Sequence, residues 1–153
     1  MQAGDLVPDF EATTDRGETI RLSELLENGP VALFFYPKAE TPGCTAQACH
    51  FRDLAAEFEE VGAQRVGISA DGVDGQRRFS DKHGFDFPLL ADTSGEIAKI
   101  FGAKRLGPLP PRRQTYVINT DGRVLTAVSS ETNMDVHADE ALAALRAAAD
   151  RQA

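Results

Sequence analysis

Basic charge is scarce in this chain. Sixteen lysines and arginines stand against twenty-four acidic residues, a formal net charge of −8, and a surface of that sign repels phosphate backbones. Nucleic acid is therefore not an expected partner, and the acidic excess is read as a solubility feature. Long apolar runs are also missing. The longest, residues 31–36, falls far short of the roughly 20 residues that cross a bilayer, and no N-terminal segment joins basic residues to such a run. A cytoplasmic protein with no membrane partner is expected. No glycine-rich loop follows a strand, which leaves nucleotide binding without support. Cysteine is limited to two positions in 153 residues. A chain of this length forms one domain, residues 1–153, whose core needs no disulfide staple. In a reducing compartment two cysteines serve catalysis or redox sensing more often than architecture.

Both cysteines fall in one stretch, residues 31–53, VALFFYPKAETPGCTAQACHFRD. Residues 31–36 are β-branched and aromatic and are closed by Pro37, which has no N–H to continue a ladder, so they read as a buried strand. A helix is expected from Thr41, with Thr41 as N-cap, Pro42 at the first helical position and Cys44 at the third. Cys44 then sits in the first turn, where unpaired N–H groups and the positive end of the dipole favour a thiolate over a thiol. A free cysteine is often just a small buried apolar residue; the T-P-G-C turn at a strand-to-helix junction favours a reactive one. Cys49 lies five residues on, a rise of about 7.5 Å and a turn of roughly 140° in an intact helix. A disulfide between them cannot form without moving backbone. The two are either unrelated thiols or a pair that meets only when the helix start unwinds.

Elsewhere the pattern is that of an α/β protein. Residues 10–14 and 18–22 flank Asp15-Arg16-Gly17 and read as a hairpin. Ser23 is positioned to cap a short helix over 24–27. The helix begun at Thr41 continues with Phe51, Leu54, Ala55, Phe58 and Val61 on one face and stops at Gly62. Strands are expected at 65–70 and 87–90. Between them, the polar run 71–75 leads into a helix through 79–83, ended by Gly84. Strand and helix alternating at these lengths imply parallel pairing with right-handed crossovers. A short helix over 94–101 is followed by residues 106–111, three prolines in six, which must be loop. Residues 114–119 and 123–129 flank Asp121-Gly122, a two-residue hairpin signal, and put an antiparallel pair on one side of the sheet. An alanine- and leucine-rich helix covers 136–149.

The histidines, His50, His83 and His137, suggest a metal only at first sight. Neighbours in a helix point about 100° apart, so Cys49 and His50 do not face one centre, and no fourth ligand presents itself. The pair Arg112-Arg113 reads by itself as a solvated loop.

Pro37, Thr41 and Cys44 stand in the pattern P-x-x-x-T-x-x-C, and with the flanking FFYPKAETPGCTAQACHFRD the stretch resembles the active site of a peroxiredoxin. A second cysteine five residues on in the same helix is similar to the bacterioferritin-comigratory-protein or Q-type subgroup. The resemblance implies a thioredoxin-like fold with a central mixed sheet, an N-terminal hairpin and flanking helices, and an antioxidant thiol peroxidase acting on hydrogen peroxide and organic hydroperoxides. It implies that Cys44 attacks the peroxide and becomes a sulfenic acid, that Thr41 and Arg113 hold the peroxide, and that Pro37 shapes and shields the pocket. Cys49 would close an intramolecular disulfide, reduced by thioredoxin or a similar dithiol donor, with no haem, flavin or metal. It also selects Arg113, two residues before Thr115-Tyr116, over Arg112. Gln47 departs from the subgroup, which usually has Glu there; it keeps the hydrogen-bonding role and loses the charge. A protein thiol–disulfide oxidoreductase would more usually carry C-x-x-C than this C-x-x-x-x-C, and a redox sensor is the non-enzymatic alternative. With no third cysteine in a C-terminal arm, a monomer or weak dimer is expected.

Overall fold

The computed structural model describes residues 1–107 and 109–152. Glu11–Thr14 (β1) and Thr19–Arg21 (β2) form the expected antiparallel hairpin, which Gly17 turns at a φ of +79°, a region glycine enters without steric cost. The next helix, Leu22–Leu26 (α1), contains Ser23 instead of following it. Asp9 is the reason: its carboxylate accepts the Ser23 N–H at 2.9 Å and the Ser23 hydroxyl at 3.0 Å, so a residue outside the helix satisfies its start.

Val31–Phe35 (β3) is buried throughout. The single helix expected from Thr41 to Gly62 is two, Pro42–Asp53 (α2) and Ala55–Glu60 (α3), broken at Leu54, whose backbone (φ −96°, ψ 21°) leaves the helical region. The apolar spacing survives the break because Phe51 and Phe58 still pack on each other, ring centroids 5.8 Å apart. Arg65 donates to the Phe51 carbonyl at 2.9 Å and so takes up one of the acceptors freed at the end of α2.

Gln64–Ser69 (β4) runs parallel to β3. Val73–His83 (α4) starts within the polar run expected to precede it and ends at Gly84. Leu89–Ala91 (β5) pairs parallel with β4. Glu96–Phe101 (α5) begins two residues later than expected, its N-terminal N–H groups at Ile97 and Ala98 donating to the Asp92 carboxylate at 3.1 and 2.9 Å. The proline-rich stretch 106–111 is irregular where described; Pro108 lies outside the described residues. Gln114–Ile118 (β6) and Val124–Ser129 (β7) form the second hairpin, and Asp135–Gln152 (α6) is the long final helix.

The seven strands make one mixed sheet in the order β2-β1-β5-β4-β3-β6-β7. Successive residues of β3 face opposite sides. Val31, Leu33 and Phe35 enter a core with Phe10, Phe101 and Tyr116, whereas Ala32, Phe34 and Tyr36 enter one with Cys44, Phe51 and Phe79. Both faces being covered explains why the strand reads as an unbroken apolar run. Because β6 pairs antiparallel with β3, Phe34 opposite Thr115, the residues before β6 arrive where β3 ends and α2 begins. Among the described residues no helix is long and apolar enough to cross a membrane.

Candidate active site

The Tyr36 N–H makes the last ladder bond, to Ile68 O at 3.1 Å, and Pro37 ends the pairing. A buried polar chain fixes the loop that follows. The Tyr36 hydroxyl donates to Gln76 Oε1 (2.5 Å), and the Gln76 amide donates to Ser69 Oγ (3.0 Å) and Leu90 O (2.8 Å). The Ser69 hydroxyl donates to Asp71 Oδ2 (2.6 Å), which also accepts the Ala39 N–H (2.8 Å). Burial pushes the Tyr36 phenol above its usual range against its hydrogen bonds, so it stays a donor. Glu40 turns the loop at a φ of +65°, left-handed for a residue other than glycine. Backbone strain of this kind persists where the surroundings over-determine it.

Thr41 has the extended backbone of an N-cap, but its hydroxyl donates back to Lys38 O at 2.8 Å and makes no bond to the helix. The capping expected from sequence is thus positional only, and the N–H groups at the start of α2 have no side-chain acceptor. Cys44 is fully buried in that first turn, as is Gln47 three residues on, on the same face. Arg113, 7% exposed, donates from Nη1 to Gln47 Oε1 at 2.6 Å. Its Nη2 lies so near the backbone before Cys44 that a Cβ at Gly43 would stand 3.2 Å from it. The Arg113 N–H donates to Glu131 Oε1 at 3.0 Å, and Arg105 bonds the same oxygen at 3.3 Å. Among the described residues, Arg113 Nε and Gln47 Nε2 are buried without a protein partner. Arg112 is exposed.

Cys49 is half-buried on the same unbroken helix and neither thiol is bridged. Burial, seconded by Asp53 and opposed by Arg52, pushes its thiol up, which suits it poorly to make the first attack. The structure brings Cys44, Gln47 and Arg113 together, with Pro37 and Thr41 on the adjoining loop. The histidines lie apart in role: His50 bonds Asp139 at 2.8 Å, His83 stacks on Phe85, and His137 is buried beside Thr115. Sequence reasoning missed Asp71, Gln76 and Glu131, and weighed His137 only as a metal ligand. Their only local signal is a polar side chain with no stated purpose, because each acts on a residue 18 to 40 positions away or across the sheet.

The AhpC/TSA family matches residues 3–127. The chain belongs to this family of peroxiredoxins. The crystal structure of peroxidoxin BcpB from Mycobacterium tuberculosis superposes with a TM-score of 0.93 at 58% identity, covering 96% of this chain and 97% of that one. The chloroplastic peroxiredoxin Q of Populus jackii is 39% identical over 95% of this chain and 68% of its own. The bacterioferritin comigratory protein of Xanthomonas campestris, whose structure concerns its alkyl peroxide reduction activity, has a TM-score of 0.82 at 32% identity, with 92% of each chain covered. The fold is thioredoxin-like of the peroxiredoxin type, and the protein is a thiol peroxidase that works by cysteine chemistry.

Proposed function

We propose that Cys44 is the nucleophile of this peroxiredoxin and Cys49 its resolving partner. The observation that carries the assignment is the Arg113 guanidinium, held by Gln47 against the backbone of Gly43 with one buried N–H left unpartnered. A cation beside the first turn of a helix stabilises both a thiolate and negative charge moving along an O–O bond. The Cys44 sulfur attacks the terminal oxygen, the O–O bond breaks, and the leaving oxygen takes a proton to depart as water or alcohol. Cys44 becomes a sulfenic acid. The Cys49 thiol condenses with it, releasing water and forming the disulfide. Two electrons from an external dithiol, thioredoxin or a similar donor, restore both thiols. Sulfur carries all the electrons, so the cycle runs without haem, flavin or metal. Thr41 and the N–H groups at the start of α2 hold the peroxide, and Pro37 shields the pocket from water. The alkyl peroxide activity of the Xanthomonas relative supports organic hydroperoxides, beside hydrogen peroxide, as substrates. The setting is the cytoplasm, and the working form a monomer or weak dimer.

Stopped-flow oxidation of the reduced protein by hydrogen peroxide tests the roles. Cys44→Ser should lower the rate by more than about a thousandfold, while Cys49→Ser should complete one fast turnover and stop at a sulfenic acid that a dimedone reagent traps. Equal first-turnover rates in the wild type and Cys44→Ser would overturn the assignment.

A further inference from the structure

His137 is a fully buried polar side chain in the first turn of α6 that the mechanism above leaves unused. Its Nε2 lies 2.8 Å from Ser130 O and its Nδ1 2.8 Å from Thr115 Oγ1. A carbonyl only accepts, so Nε2 carries the proton. Burial holds the imidazole below the ordinary histidine range, and the nearby charge of Arg113 acts in the same direction, against the Ser130 bond and Glu131. The ring is therefore neutral, Nδ1 accepts, and the Thr115 hydroxyl donates. One imidazole thus ties β6, two residues beyond Arg113, to Ser130. The residue after Ser130 is Glu131, whose carboxylate takes the Arg113 N–H. Met134, three residues before His137, lies with Arg113 against Gly43, its sulfur 3.5 Å from where a Cβ would be.

We infer that His137 is a positioning residue for the peroxide step, holding Arg113 against the start of α2 by fixing Thr115 on one side and the Ser130-Glu131 turn on the other. A phenyl ring would fill the same space, so packing alone does not call for an imidazole. What the imidazole adds is two directional bonds, one to each segment that carries Arg113. The inference rests on the role proposed for Arg113, and loss of either tie lets the guanidinium drift from the start of α2 without touching Cys49.

The test is a double-mutant cycle read by stopped flow with hydrogen peroxide, resolving Cys44 oxidation from the later disulfide phase. His137→Phe should slow oxidation about ten- to a hundredfold, the usual result of displacing a group by about an ångström, and leave the disulfide phase unchanged. His137→Gln, whose amide can still reach Ser130 O, should regain part of the rate. In an Arg113→Ala background His137→Phe should do nothing more. Equal slowing of both phases, or full additivity with Arg113→Ala, would overturn the inference while sparing the role of Arg113. An unchanged oxidation rate in Arg113→Ala alone would overturn both. If His137→Phe does not fold, Thr115→Val keeps the volume, removes the donor to Nδ1 and enters the same cycle with the same expected non-additivity.

Discussion

Gln47 gives Arg113 a neutral acceptor. A carboxylate there would grip the guanidinium harder, since charge-assisted bonds are about twice as strong, but it would also draw positive charge away from the sulfur and the departing oxygen. The 2.6 Å bond to Gln47 already fixes the group, so the charge effect should win. Gln47→Glu is expected to slow Cys44 oxidation about two- to tenfold. Arg113→Ala should cost about a hundredfold, the loss typical of one preorganised donor, and Arg112→Ala, exposed, less than about twofold. A faster Gln47→Glu enzyme in stopped flow would mean that grip outweighs charge. At this scale the sequence is informative where chemistry is local. Cys44 in a T-P-G-C turn and Pro37 after an apolar run announce themselves. The Thr41 hydroxyl does not, because its choice between the helix and Lys38 O depends on the loop path set by Asp71 and Gln76.

The two thiols share one unbroken helix, five residues apart, and cannot bond until part of it opens. The anchoring of α2 is uneven. Its C-terminal half is tied to α6 by His50–Asp139 and to β4 by Arg65–Phe51 O, while its N-terminal half is tied through Gln47 to Arg113 and its first turn has no side-chain cap. Opening should therefore start at Pro42, and on oxidation amide exchange should rise over residues 43–49 while 51–53 stay protected. Asp139→Asn weakens a partly exposed pair worth at most about 1 kcal/mol, so it should speed the disulfide phase by no more than about fivefold and leave Cys44 oxidation unchanged. A bridged form with uniform protection along α2 would refute the opening. The break at Leu54 was not legible, because Phe51 and Phe58 keep helical spacing across it. The start of α1 departs from the local pattern for a related reason: Asp9 satisfies it from another segment, and local pattern can only nominate the nearest serine.

The whole molecule is acidic, and its stability should fall with acid in two stages that different groups control. His137 is held below the ordinary histidine range by burial, with Arg113 seconding it. The unfolded chain, with a histidine value of about 6.5, then binds the proton first, so stability is fully present above about pH 6.5 and declines as the pH falls toward the lowered native value. Asp9, through its bonds from Ser23, and Asp86, through its bidentate pair with Arg65, have carboxyls held below the usual range. Their contribution is present above the unfolded carboxylate value of about 3.9 and is lost only as the pH falls through the lower native values. Thermal melts should be flat from pH 8 to about 6.5, decline toward pH 5, and decline again below about 4. His137→Gln, which cannot titrate, should lower the melt at neutral pH by removing a buried bond but flatten the first decline and leave the second intact. Melts of His137→Gln that track the wild type in slope between pH 6.5 and 5 would show that another group carries that stage and that folding does not lower the proton affinity of the imidazole.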